Sequence, residues 1–424
     1  MTGLQDAGPL RILIAPSRYV QGPGALTLLA GQLSLLGIKK PLCLAGPTAK
    51  KVTEGLINPA LAEAGLSVEW TVFNRECTWD EMARVKEICK SKECDAILSI
   101  GGGKSIDTGK AAATDVAIDI GKVPAERLED FGAGVPKIVI PTIAATDAPC
   151  SALTVVYTAE HVYVTFLVYP TNPMMVCVDS AIIAKAPARF LVSGMGDALA
   201  TWFEADMSYR TNAMNLPGGQ PPMTALAIAR LCYVALRKYG IQAKLAVEQG
   251  AVTPAVEKII EANTLLSGLG FESGGLSAAH GIHNGMTVLE AKMKDLPGPP
   301  KHRPYHGEIV AFGTLCEMVL EDRDPDFIKD VMGWCKAVGL PTGFKELGLA
   351  GLGENDIEAA AQASAGDVLL STMNQAYPEP VDGKFYPWAY IRDAMKAIDA
   401  MSEAFPNIGV PEAGRDAMST PGTY

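Results

Sequence analysis

The chain has 424 residues, 48% of them hydrophobic and 20% charged, and carries a net charge of −11. That length suggests two or three domains with core enough to fold without disulfide or metal staples, so any bound metal is expected to serve function. The acidic balance, with no run of Lys and Arg, excludes a protein that tracks nucleic-acid phosphates and leaves small molecules as the expected partners.

Between residues 11 and 179 short apolar, β-branched runs alternate with helix-like segments, the pattern of a parallel sheet flanked by helices. Strands are expected at 11–15, 41–45, 68–73, 96–100 and 137–140, then as a hairpin of 155–158 with 163–168, and at 175–178. Thr78-Trp79-Asp80-Glu81 is a capping-box pattern, with Thr78 capping a helix start and Glu81 reaching back. Beyond Pro187 the texture changes to Ala-, Leu- and Met-rich stretches at helical spacing, at 197–208, 223–239, 253–269, 308–320, 326–337 and 390–403. Pro254, in a first turn, is the only proline within these spans. The expected fold is an α/β N-terminal domain, residues 1–185, followed by an all-α C-terminal domain, residues 186–424.

Nine cysteines, scattered from Cys43 to Cys335 without a Cys-x-x-Cys pair, read as reduced and mostly buried thiols. The first residues lack the charged and apolar segments of a signal peptide, and no apolar run reaches the roughly 18 to 20 residues that cross a bilayer. A cytoplasmic protein with no membrane partner is expected.

Three places carry chemistry. Residues 96–100 run directly into Gly101-Gly102-Gly103-Lys104-Ser105 and then into a helix-forming segment. A glycine turn at a helix start brings backbone N–H groups and a partial positive charge to an anion, and Lys104 adds a full charge. The string is neither a Walker A motif nor a GxGxxG fingerprint, so a tight turn without a ligand is the bland alternative. Second, Gly194-Met195-Gly196-Asp197 stands at the expected head of the first C-terminal helix, where a lone Asp is most often a cap. Third, His280, His283, His302 and His306 crowd together while His161 stands far upstream. Imidazoles and a carboxylate are common ligands of catalytic metals, and Asp197 with two of these histidines makes a three-ligand set that leaves positions open for substrate. His280 and His283, three apart, share a helix face, so either can be the first ligand. The other, expected to be His283, then hydrogen-bonds behind it. His302, in Pro299-Pro300-Lys301-His302-Arg303-Pro304, reads as a bystander on a polar loop.

At this point the chain resembles the glycerol branch of the metal-dependent, iron-containing alcohol dehydrogenase superfamily. The likeness runs through Pro16 to Gly22, the glycine turn, Pro141 to Pro149, Gly194 to Ala205, Phe271 to Gly285 and His306-Gly307-Glu308. It implies an α/β dinucleotide-binding domain, a helical metal and substrate domain and a cleft between them, the dehydroquinate synthase-like architecture. By matching positions it implies Asp197, His280 and His306 as metal ligands, and Gly102, Gly103, Lys104 and Asp107 at the cofactor pyrophosphate. Thr142, Ser151, Leu153 and Tyr157 would lie near ribose and nicotinamide. Asp147 would meet the polyol hydroxyls, and proton exit is expected through Asp147, His283 or water. The implied activity is hydride transfer between a small polyol, glycerol or a related vicinal diol, and NAD or NADP, giving dihydroxyacetone or the corresponding hydroxyketone. One divalent metal is implied, zinc with iron as the alternative, in a homo-oligomer.

Three departures from the branch stand out. Gly46 replaces the acidic residue that holds the adenosine ribose, which removes repulsion against a 2′-phosphate and leaves Thr48 or Lys50 to contact one. Ala145 stands where Ser is usual, and the segment 292–303 is longer than usual. A dehydroquinate-synthase-type lyase or cyclase is the first rival, but no Lys and Arg cluster for a substrate phosphate surrounds Asp197 or His280. A non-catalytic metal- and nucleotide-binding scaffold is the second, and the intact Asp/His/His set argues against it.

Overall fold

The computed structural model describes residues 10–121, 125–160, 162–289, 303–373 and 380–406. His161, His302, the first nine residues and 292–302 of the long segment lie outside the described residues. The chain sorts into two compact units, Ile14–Phe190 with Leu245–Gly268, and Met1–Leu13 with Leu191–Lys244 and Leu269–Tyr424. It does not divide at a single point near residue 185, because 245–268 belongs with the α/β unit and the start of the chain with the helical one.

The α/β unit is built on a six-stranded parallel sheet. Its strands are β1 (Tyr19–Gly22), β2 (Pro41–Ala45), β3 (Glu69–Val72), β4 (Ala96–Gly101), β7 (Lys137–Pro141) and β10 (Met175–Asp179), in the order β1-β10-β7-β4-β2-β3. A second, antiparallel sheet holds β5 (Ala117–Asp119), β6 (Glu126–Leu128), β8 (Leu153–Tyr157) and β9 (Tyr163–Val168) in the order β6-β5-β9-β8. Helices α1 (Leu29–Leu35), α2 (Pro47–Glu63), α3 (Trp79–Ser91), α4 (Gly103–Ala113) and α5 (Ser180–Ile183) complete the connections.

The parallel strands are apolar on both faces because both faces are covered. Cys43 and Ala45 of β2 join Leu26, Leu29, Ile57 and Leu61 in one layer, while Leu42 and Leu44 join Val85, Cys89 and Ala112 in the other. Of the expected strands, 11–15 is not one. Arg11 makes an isolated bridge to Gln220 and Leu10 O accepts from Gln220 N at 2.7 Å, so this stretch is held in the helical unit. The sheet edge is taken instead by β1. Thr78 caps α3 through Glu81 N at 3.2 Å, as expected. The Glu81 carboxylate turns instead to Asn74 and Arg84.

After α8 (Pro254–Glu261) the chain makes a π-helical turn over Ala262–Leu266 before α9 (Ser267–Gly274). This segment returns to the α/β unit through polar contacts as well as its buried Val256, Ile259 and Ile260. Asn263 Nδ2 donates to Ala144 O at 2.9 Å, Thr264 Oγ1 lies 2.8 Å from Tyr19 OH, and Ser267 Oγ donates to Asp147 Oδ2 at 2.7 Å.

The helical unit contains α10 (Ala278–Met286), α11 (His306–Leu320), α12 (Pro325–Val338), α13 (Glu354–Ala365) and α14 (Trp388–Ala404). Most of α6 (Ala188–Thr211) and α7 (Met223–Glu248) also belongs to it. Asp197 lies inside α6, not at its head, and is 1% exposed. Gly194 and Gly196 do not break the helix. A Cβ on Gly196 would be driven into Gly307 O, and one on Gly307 into Ser193 O, so the two glycines let α6 and the start of α11 meet backbone to backbone. That close approach is what brings Asp197 to His306.

Candidate functional site

Asp197 comes from the middle of α6, His280 from the first turn of α10 and His306 from the first residue of α11. One ligand atom from each lies within 4.8 Å of the others. Asp197 Oδ1 is 3.1 Å from His306 Nε2 and 3.4 Å from His280 Nε2, while Asp197 Oδ2 is buried without a hydrogen-bond partner among the described residues. A buried carboxylate oxygen left unpaired beside two imidazole Nε2 atoms is the donor set of a divalent cation, not of a folding core, where such an atom costs about 1–3 kcal/mol. The residues therefore fit a metal. The His306 side chain is 39% exposed against 1% for Asp197, so one edge of the triangle is accessible to a further ligand.

Burial opposes ionisation of Asp197, but the charges of His306 and His280 and their hydrogen bonds outweigh it and hold the carboxyl far below its usual range. Burial likewise disfavours the cation of His280. The Glu204 carboxylate and then Asp197 overcome it and push that imidazole well above its ordinary value. The site thus gathers negative charge away from water and is compensated by positive charge, which on imidazole is a proton that a metal displaces.

Behind the triangle each histidine has a partner. Glu204, fully buried and two turns along α6 from Asp197, places Oε2 2.6 Å from His280 Nδ1. Its Oε1 accepts from Ser277 N and His280 N at 2.9 Å each. His306 Nδ1 lies 3.0 Å from His283 Nε2, and His283 Nδ1 lies 3.0 Å from Asn284 Oδ1. Asn284 Nδ2 donates to Asp367 Oδ2 at 2.8 Å. Burial, then the charge of His306, holds His283 well below its ordinary value, so it is neutral. With both nitrogens engaged, His283 sits behind His306 as a hydrogen bonder. Glu317, also buried, accepts from Ala279 N at 3.0 Å. Burial and then the charge of Glu204 push it well above the usual carboxylate range.

In the α/β unit the chain doubles back at β2, with β3 on one side and β4, β7 and β10 on the other. Ligands of open parallel sheets bind outside the carboxyl ends of the strands at such a reversal. Ala45 of β2 is in register with Ile100 of β4, and Gly101 with Pro141 of β7, so Gly46, the glycine turn and Thr142 all emerge there. Gly101 has φ +143°, and a Cβ on it would collide with Ser105 Oγ. Gly102 caps α4 without a side-chain hydrogen bond to its N-terminus.

The remaining sequence candidates fall around this turn with distinct partners. Lys104 pairs with Glu76 and lies 5.5 Å over the Tyr157 ring. Asp107 has Oδ1 3.0 Å from the fully buried Lys110 Nζ, and its Oδ2 accepts from Val155 N at 3.1 Å, so its carboxylate serves the framework of α4 and β8. Lys110 also donates to Ala148 O at 2.8 Å and to Ser151 Oγ at 3.2 Å. Ser151 is fully buried and Leu153 is 9% exposed. Asp147 is oriented by Ser267.

Sequence reasoning overlooked Glu204, Asn284, Asp367, Lys110 and Ser267. Only Glu204 had a signal, its seven-residue spacing from Asp197 on one helix face.

A parallel sheet with a glycine turn at its reversal and a helical unit with a buried carboxylate and two imidazoles together define the architecture of the metal-dependent alcohol dehydrogenases. Residues 16–180 match the family model "iron-containing alcohol dehydrogenase". The chain is 44% identical over 371 residues to glycerol dehydrogenase of Thermotoga maritima, covering 88% of this chain and 93% of that one. It is 42% identical over 373 residues to glycerol dehydrogenase of Escherichia coli, covering 88% and 94%. The crystal structure of glycerol dehydrogenase from Schizosaccharomyces pombe is similar with a TM-score of 0.82 at 33% identity, over 94% of this chain and 92% of that one. The chain belongs to the iron-containing alcohol dehydrogenase family. No helix among the described residues is long and apolar enough to cross a membrane.

Proposed function

We propose that this oxidoreductase moves hydride between a small vicinal diol, glycerol or a close relative, and NAD or NADP, giving dihydroxyacetone or the corresponding hydroxyketone. The observation that carries the reading is the buried triangle of Asp197, His280 and His306 with its unpartnered Asp197 Oδ2. A divalent ion there, zinc with iron as the alternative, supplies Lewis acidity of the kind that brings the pKa of water from 15.7 to about 7. The nicotinamide supplies the hydride acceptor. Glu204 and His283 hold the two imidazoles in place. Gly102 and Gly103 present α4 N–H groups to the pyrophosphate, with Lys104 adding charge from its place beside Glu76. Thr142, Ser151, Leu153 and Tyr157 take the ribose and nicotinamide side. Asp147, aimed by Ser267, accepts hydrogen bonds from the polyol.

Gly46 at the carboxyl end of β2 offers no carboxylate to a ribose 2′-hydroxyl, and Lys50 follows one turn later, paired with Glu54 at 3.5 Å and 5.5 Å over the Trp70 ring. That arrangement is compatible with a 2′-phosphate and supports keeping NADP beside NAD as the cofactor. The nine cysteines are all unpaired and buried, in keeping with a reducing, cytoplasmic setting.

The test follows reduced-nicotinamide absorbance with glycerol and related 1,2-diols, with NAD and NADP supplied separately, before and after chelation. Turnover that chelation abolishes and zinc restores is expected. No turnover of any diol with either cofactor in zinc-loaded protein overturns the reading.

A further inference from the structure

Two carboxylates outside the triangle face the same geometric constraint. Glu204 Oε1 is pinned by two backbone N–H groups, Ser277 and His280, so only Oε2 is left to face His280 Nδ1. Asp367 Oδ1 is pinned by Leu369 N at 2.9 Å, so only Oδ2 is left to face Asn284 Nδ2. A carboxylate oxygen only accepts, and this fixes the direction of everything that follows. His280 must carry its proton on Nδ1. Asn284 must give its amide N–H to Asp367 and turn its oxygen to His283 Nδ1, which therefore carries the proton. His283 Nε2 is then a bare acceptor, and His306 must carry its proton on Nδ1. Both rings thus hold their proton on Nδ1, and the atom each turns to Asp197 is Nε2, from which a metal displaces the proton shared with that carboxylate.

From this geometry we infer that Glu204 and Asp367 are positioning residues that set which nitrogen of His280 and of His306 binds metal, Glu204 directly and Asp367 through Asn284 and His283. The inference rests on Asp197, His280 and His306 being the ligands. It has a specific consequence for the isosteric amides. In Glu204→Gln the single amide oxygen stays on the two fixed N–H groups and the NH₂ turns to His280 Nδ1, which must then accept and leave the proton on Nε2. In Asp367→Asn the oxygen stays on Leu369 N and the NH₂ faces Asn284. Asn284 turns over, His283 turns its proton to Nε2, and His306 is left protonated on Nε2. Each change removes no bulk and no backbone contact, yet blocks a ligating atom.

The experiment measures zinc affinity of the full-length protein by chelator competition, with ¹⁵N NMR of the histidine rings as the second readout. Loss of an outer hydrogen-bond partner weakens metal roughly 10- to 100-fold, and each amide variant is expected in that range, Glu204→Gln the weaker binder of the two. The zinc-loaded parent is expected to show Nδ1–H for both His280 and His306. Affinity within twofold of the parent in a folded Glu204→Gln or Asp367→Asn protein overturns the corresponding chain, and an Nε2–H signal in the zinc-loaded parent overturns it without any variant. His280→Ala separates the two levels. If it leaves zinc affinity unchanged, the ligand reading itself fails. If it abolishes binding while both amide variants bind normally, only the positioning inference fails.

Discussion

The helical unit and the α/β unit prepare for their ligands by opposite means. Around Asp197 the converging groups are side chains, carboxylates and imidazoles, each with a hydrogen-bond partner that fixes its direction. At the turn after β4 the fold instead leaves Cβ atoms out, at Gly101, Gly102 and Gly103 in succession, and no side chain hydrogen-bonds to cap the start of α4. A site of the first kind fails when a functional group is removed, and a site of the second kind fails when an atom is added.

The largest effect tests the first half of that contrast. His306→Ala is expected to abolish zinc binding and with it diol oxidation, whereas His302→Ala leaves zinc bound, as measured by metal content after dialysis. Equal behaviour of the two breaks the ligand assignment. The second half is tested by adding one methyl group. Gly101→Ala puts a Cβ on a backbone at φ +143° and against Ser105, for which strain of about 1–3 kcal/mol is typical. Its expected signature is a raised cofactor KM and a lowered Tm with zinc affinity unchanged. A loss of zinc equal to that of cofactor would dissolve the contrast.

The smallest effect comes from a residue assigned to neither site, at the start of α3. Removing the Thr78 cap costs about 1 kcal/mol, so Thr78→Ala is expected to lower the denaturant midpoint and leave KM and zinc affinity alone. The same place gives a pH dependence. Burial works against ionisation of Glu81, but Arg84 and Asn74 outweigh it and lower its pKa. A carboxyl depressed on folding stabilises fully above the unfolded value of about 4.3 and loses that contribution as pH falls through the lower folded value. Glu81→Gln should therefore flatten the acid limb of stability, read from urea midpoints between neutral pH and the acid transition.

The legible parts of the fold were those where one physical cause dominates. β2, β4, β7 and β10 are covered on both faces and read as continuous apolar runs. β5 and β6 are three residues each, too short to show a period, and were missed. The stretch 11–15 has strand composition, but its partner is the loop at Gln220, a choice made by tertiary contacts that no local pattern records. Asp197 was found for its residue type yet misplaced at a helix start, because glycines inside a helix normally mark an end and here mark a helix crossing. The triangle of Asp197, His280 and His306 follows from residue type and resemblance. Its supports do not, since Asp367 reaches His306 only through two intervening side chains supplied by α10.

The crossing of α6 and α11 has a consequence for how this chain can change over time. Most tight contacts in a protein can be relieved by shrinking the neighbour, so a damaging substitution has a second-site cure. At Gly196 and Gly307 the opposing atoms include the carbonyls of Gly307 and Ser193, main-chain groups that no substitution makes smaller. Neither glycine has a compensating partner in the genetic code. The pair can only be kept or lost together with the separation of the helices that carry Asp197 and His306.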